Sequence, residues 1–149
     1  MFTLRCEAIL QADPAEVWRI WTDVSGWPGW DKSKEIARLD GPFAVGTAGW
    51  AKHRGNLGGP FTITRVNTGQ GWTSECPLPL GKAVFGHLIE ALPSGNVRVV
   101  KTVEVHGGFA PMFRLTFASK MRRDITESFA ALQLELLQCA KQAPRRSRS

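Results

Sequence analysis

The imidazole, hydroxyl and carboxylate groups of the chain come nearest to one another on a single hairpin. Residues 82–92 and 97–106 read as two antiparallel strands joined by Pro93-Ser94-Gly95-Asn96. Pairing Leu92 with Val97 sets His87 opposite Thr102 and Phe85 opposite Glu104, on one face with Ile89 and Val100. A histidine beside a carboxylate among apolar neighbours can move protons, as an enolisation or dehydration requires, or can anchor a polar group of a ligand. The same pair also suits a structural role in which Glu104 only orients and neutralises His87, and a pairing shift of one residue separates them. The opposite face, with Val84, Leu88, Glu90, Val99, Lys101 and Val103, is no more polar. Which face looks inward is therefore left open.

The second unusual feature is aromatic: six Trp and eight Phe with no Tyr. Trp18 and Trp21 sit three apart on a helical segment, Trp27 and Trp30 flank a turn, and Trp50 and Trp72 fall on strands. Core packing suits each of them; Trp27, Trp30 and Trp72 are also placed to stack on a planar or greasy ligand at the mouth of a pocket. Other chemistries lack their residues. His53, His87 and His106 lie on separate strands without HxH or HxxE spacing, so no metal and no cofactor is expected. There is no GxSxG, P-loop or GxGxxG, and Gly55-Asn56-Leu57-Gly58-Gly59 reads as a strand connection. Cys6, Cys76 and Cys139 are odd in number and far apart, as expected of reduced, buried thiols; Cys76 has no neighbouring base.

The elements that must position these residues follow from periodicity. Residues 2–10 alternate as a half-buried strand. Asp13-Pro14-Ala15-Glu16 is a helix start, and Val17, Trp18, Ile20 and Trp21 give that short helix an apolar side. Trp27-Pro28-Gly29-Trp30-Asp31 forms a second short turn. Strands are then expected at 35–39, 47–54, 61–66, 72–76, 82–92 and 97–106, separated by Gly, Pro and Asn breaks. One long helix over 111–141 closes the chain, with Phe117, Met121, Ile125, Phe129, Leu132, Leu136 and Ala140 on its apolar face. Only that helix has the area to cover a seven-stranded antiparallel sheet, so the sheet should curl around it and leave space for a ligand. Phe117, Met121 and Ile125 would line that space from the helix side.

The 149 residues are expected to form one domain over 1–143, followed by a disordered basic tail over 144–149. Of the net charge of +6, three charges belong to Arg145, Arg146 and Arg148 in that tail. No basic run interleaved with aromatics points to nucleic acid, and no segment reads as a signal peptide or membrane span, so a cytoplasmic protein without integral membrane association is expected.

The element order, together with Ala12-Asp13-Pro14-Ala15-Glu16-Val17-Trp18, Trp27-Pro28-Gly29-Trp30-Asp31, Leu39-Asp40-Gly41-Pro42-Phe43 and Gly46, resembles the START-like, Bet v 1-like or SRPBCC superfamily. Within it, the chain is similar to small bacterial polyketide cyclase/dehydrase-like proteins. The resemblance implies an α+β helix-grip fold and a deep hydrophobic pocket, for a lipid, quinone, polyketide or aromatic ligand. It does not fix a reaction, since the superfamily includes aromatase/cyclases, lipid and hormone binders and chaperone activators. Three readings stand: a binding module for a small hydrophobic molecule, a cyclase-type enzyme using His87 and Glu104, and a protein-interaction domain.

Overall fold

The computed structural model describes residues 1–55 and 58–147, with backbone only from 142. In chain order its elements are β1 (Phe2–Leu10), α1 (Pro14–Thr22), a 3-10 turn (Val24–Gly26), α2 (Trp27–Trp30), β2 (Lys34–Leu39), β3 (Ala48–His53), β4 (Gly59–Asn67), β5 (Gly71–Leu78), β6 (Gly81–Ala91), β7 (Val97–Gly107), α3 (Ala110–Thr116) and α4 (Ala118–Ser147). The strands form one antiparallel sheet in the order β1-β7-β6-β5-β4-β3-β2. Each strand thus pairs with its neighbour in sequence except β1, which docks on β7. This is the helix-grip architecture: a curled seven-stranded sheet, a long C-terminal helix and short N-terminal helices. Asn56 and Leu57 of the 55–59 connection, and Arg148 and Ser149 of the expected tail, lie outside the described residues.

Local chemistry explains the boundaries. The Asp13 carboxylate accepts from the Ala15 N–H at 2.9 Å and Pro14 occupies the first turn of α1, where its missing donor costs nothing. Register irregularities between Lys34 and Ile36 and between Ile63 and Arg65 bend β2 and β4 and help the sheet curl.

The expected single helix from Pro111 is corrected in two respects. It begins at Ala110, and it breaks at Phe117, whose φ of −113° departs from helical values. Its first segment, α3, buries Ala110 and Phe113, and Phe113 packs on Phe2 of β1 at 5.9 Å. Phe117 instead turns to Phe109 and Phe113, at 6.2 and 5.8 Å, and stays 37% exposed. α3 meets β7 and β1 and α4 lies over β1, with the non-helical Phe117 between them. The buried stripe of α4 is consequently shorter than expected: Ile125, Phe129, Leu132 and Leu136 are buried, Met121 is half-buried and Ala140 is exposed. Those four side chains contribute roughly 6–12 kcal/mol as an upper bound.

The core is divided. One cluster joins β1, β6 and β7 to α1, α3 and α4, through residues such as Leu4, Val99, Val103, Trp21 and Leu132. The other, Val24, Trp27, Ala37, Phe61, Ile63 and Trp72, sits over β2 to β5. Trp18 and Trp30 pack against both.

The pairing of β6 with β7 differs by one residue from the expected one. Ala91, not Leu92, pairs with Val97, so His87 lies opposite Lys101, Phe85 opposite Val103 and Val84 opposite Glu104. The turn is the cause. Gly95 donates to the Leu92 carbonyl at 3.1 Å and adopts a φ of +85°, while Leu92 N–H bonds the Asn96 carbonyl at 2.9 Å. A tight turn followed by a left-handed glycine is a bulge, which consumes one residue on the far strand.

Candidate functional site

With side chains alternating across each strand, the true register decides what faces α4. On β7 the inward row is Val97, Val99, Lys101, Val103 and Val105, four of them fully buried. A lysine therefore sits in the middle of an apolar row. Across the sheet it is followed by His87 on β6 and Trp72 on β5, the registered partners of one row. Phe85 and Ile89 share this concave face with His87. Thr102 and Glu104 are on the convex face, so the expected pairing of His87 with Glu104 on one face is corrected by the bulge at Gly95.

Other inward positions extend the polar seam between the two clusters. Lys34 opens β2 opposite His53 at the end of β3, and its Nζ lies 3.3 Å from Nε2 and 3.4 Å from Nδ1 of that ring. Asp31, in the connection after α2, is 3% exposed. Its Oδ1 accepts from the Ser33 N–H at 3.0 Å and hydroxyl at 2.6 Å, and its Oδ2 from the Ser128 hydroxyl of α4 at 2.7 Å. This contact ties α4 to the connection after α2 across 97 residues. Ser74 and Cys76 of β5 face the same interior.

The electrostatics follow from burial. Burial drives the Lys34 amine down to about 7, with the Lys101 charge adding to the effect and Asp31 and Asp124 opposing it. Burial likewise lowers Lys101, against the pull of Asp31. His53 falls to about 3 through burial and the charges of Lys34 and Lys101. His87 is pushed well below its usual range by burial and by Lys101. Both histidines are thus neutral acceptors or donors at physiological pH, not cations. Burial alone would raise Asp31; the Lys34 charge and the hydrogen bonds from Ser33 and Ser128 outweigh it and hold the carboxylate below its usual range. The Cys76 thiol is raised by burial to about 11, which removes it as a nucleophile.

The aromatics form a stack that ends in this seam. Trp27 lies on Phe61 at 6.5 Å and on Trp72 at 6.0 Å; Trp72 lies flat on His87 at 3.7 Å with 5° between planes. Trp21 meets the His87 ring edge-on at 5.2 Å. The faces of Trp27 and Trp72 are therefore turned to each other and to His87, and Trp27 donates its indole N–H to the Trp21 carbonyl at 3.1 Å. Among the described residues, Trp72 Nε1 and His87 Nδ1 have no hydrogen-bond partner.

The structure thus brings Trp27, Trp72, Phe85, His87, Ile89, Met121 and Ile125 to the interior, places Trp30 between the two clusters, and sets Thr102, Glu104 and Phe117 outside it. Lys34, His53, Lys101, Asp31 and Ser128 were missed by sequence reasoning. The signal for Lys101 was the strict valine alternation around it; Lys34 and Asp31 carried none. Among the described residues no three His, Cys, Asp or Glu side chains converge as metal ligands, and no helix is long and apolar enough to cross a membrane. Two surface clefts lie elsewhere. One, of about 320 Å³, is on the convex face between Arg5, Arg65, Thr73, Leu88 and Thr102; the other, of about 300 Å³, lies between Trp30 and the outer side of α4. Leu80, Met112 and Leu115 are exposed where the β5–β6 turn meets α3.

No family model matches the chain, and no curated protein matches its sequence. Solved structures do match its fold. Ara h 8.0201 has 15% identity and a TM-score of 0.74 over 92% of this chain and 98% of that one. A START superfamily protein from Mycobacterium smegmatis has 13% identity and a TM-score of 0.71, over 92% of this chain and 98% of that one. The di-domain ARO/CYC BexL from the BE-7585A biosynthetic pathway has 12% identity and a TM-score of 0.72, over 93% of this chain and 47% of that one. The chain has the helix-grip fold of the START/SRPBCC, Bet v 1-like proteins.

Proposed function

We propose that the protein binds a small hydrophobic molecule, of the lipid, quinone, polyketide or aromatic class, between the concave face of the sheet and the first half of α4. One observation carries this reading. Phe85, Lys101, Cys76, Lys34, His53 and Met121 all project into the grip, yet each is only half-buried. Side chains deep inside a domain keep accessible surface when they border a space rather than a packed core. The fold supports the same reading, since it is shared with a START protein and an ARO/CYC protein. Native mass spectrometry of gently purified protein, with extraction of whatever co-purifies, and titration of Trp fluorescence with the fluorescent hydrophobe N-phenyl-1-naphthylamine test it. Saturable energy transfer from Trp to the probe at one equivalent supports the binding reading. Absence of transfer up to the probe's solubility limit sinks it.

A second reading, proton-transfer catalysis on a polyketide-like substrate, rests on Lys34 rather than on His87 with Glu104. An amine near pH 7 beside a neutral imidazole is a competent general base. It is tested by exchange of the central protons of 1-phenyl-1,3-butanedione in deuterium oxide. Acceleration by wild-type protein but not by Lys34→Met supports it; equal rates refute it.

A further inference from the structure

The interior of the grip is rich in donors and poor in acceptors. Lys34 and Lys101 carry only donors, as does the Trp72 indole. Among the described residues neither amine forms an ion pair with a carboxylate, and the one hydrogen-bond contact of the Lys34 amine is the neutral ring of His53. Asp31, the carboxylate nearest in effect, already has its oxygens engaged by Ser33 and Ser128. Asp124 is held by Lys120 at 2.9 Å. Lys101, His87 and Trp72 stand side by side in one row of the sheet, and in that row His87 Nδ1 and Trp72 Nε1, on residues 8% and 3% exposed, are unpartnered. The neutral His87 ring can donate or accept at Nδ1, whereas the two amines and the Trp72 indole can only donate; interior donors without acceptors are costly, so a site of this kind is completed by a group that brings acceptors and negative charge.

We infer that the hydrophobic ligand carries an acidic group, a carboxylate or an ionised phenol or enol, held by Lys34 and Lys101 with the His87–Trp72 row beside it. This deepens the proposed binding function and rests on it. The apolar body of the ligand then lies along Phe85, Ile89 and Met121, and the acid faces the two amines. Binding draws a proton onto Lys34, because a neighbouring anion favours the ammonium form. The groups that face Lys34 and share in that proton balance are Asp31, His53, Cys76, Lys101 and Asp124; Lys120 also faces His53.

The test uses two probes with one ring system, 8-anilinonaphthalene-1-sulfonate and the uncharged N-phenyl-1-naphthylamine, titrated at pH 6.5 and 8.5. The expected result is at least tenfold tighter binding of the sulfonate at pH 6.5, a preference that shrinks at pH 8.5 and falls to about threefold or less in Lys34→Met and Lys101→Met. Calorimetry in two buffers of different ionisation enthalpy should show proton uptake with the sulfonate only. Arg65→Gln, in the convex cleft, should keep the preference. If both probes bind alike and the lysine variants change nothing, the acidic ligand is refuted while the hydrophobic pocket stands. If Arg65→Gln abolishes the preference, the sulfonate sits on the outer face and the inference also falls. If neither probe binds, the pocket itself is refuted.

Discussion

Replacing Lys34 by methionine should make the protein more stable, an unusual outcome for an interior substitution. The amine has a pKa of about 7 in place of 10.5. At pH 7 the unfolded chain carries a charged lysine and the folded chain a half-neutral one. Burying the amine thus costs about 4 kcal/mol there, and closer to 5 kcal/mol below pH 6, where both states are protonated. Between pH 7 and 10.5 the unfolded state binds the extra proton, so the penalty fades as pH rises. Methionine keeps the length of the side chain without the charge, but the contact with His53 is lost, at about 1 kcal/mol, and half-burial lowers the cost further. A net gain of about 2–3 kcal/mol at pH 7 remains, or roughly 5–10 °C in Tm for a chain of this size. Urea denaturation followed by near-ultraviolet circular dichroism at pH 6, 7, 8.5 and 10 measures it. A variant less stable than wild type at pH 6, or a difference that stays constant from pH 6 to 10, would refute the account of Lys34 as a charge held for a ligand at the expense of stability.

Acid should unfold the protein through its histidines: His53 has a pKa of about 3 and His87 lies well below its usual range, so the unfolded chain takes up protons first as pH falls below about 6.5. His53→Phe should lower the midpoint of acid unfolding, read by Trp fluorescence. Ser128→Ala removes a buried hydrogen bond to Asp31 and should cost about 1.5–3 kcal/mol in urea melts, with the Asp31 pKa, followed by carboxylate NMR, moving up. Gly49→Ala puts a methyl group 2.5 Å from Cζ of Phe61 and 2.6 Å from the Arg38 carbonyl, and a loss of about 2–4 kcal/mol is expected.

Much of the architecture could be read from residue patterns because its signals are local. The strand breaks, the Asp13 cap and the apolar stripe from Ile125 to Leu136 each fit within a few residues. The break at Phe117 was hidden because Phe113 to Phe117 satisfies both helical and alternating periods, and only the packing of Phe113 on Phe2 and of Phe117 on Phe109 decides between them. The site was harder for a physical reason. Its polar members come from the connection after α2, from β2, β3, β5, β6 and β7 and from α4, and the alignment of Lys101 with His87 depends on a register that a single left-handed glycine sets. The valine alternation around Lys101 already marks its face as apolar, but that it stands beside His87 follows only from the register. Asp31 and Ser128, separated by 97 residues, have no sequence pattern that joins them.

The bulge at Gly95 also bears on how the chain finds its fold. The two faces of the β6–β7 hairpin differ little in hydrophobicity, since Val84, Leu88 and Val100 look outward while Lys101 and His87 look inward. A hairpin forms in about 1–10 μs, long before distant segments meet, so side-chain sorting offers this one little guidance at the moment it closes. The turn supplies that guidance. A copy that closes without the bulge buries Thr102 and Glu104 and presents a mispaired β7 to β1, whose pairing of Phe2 with Val105 joins the first strand of the chain to the last. Such a copy must reopen before β1 can dock. Gly95→Val strains the left-handed position in the native turn and should therefore both lower stability and add a slow refolding phase, read by stopped-flow Trp fluorescence; single-phase refolding at the wild-type rate would refute this role of the turn.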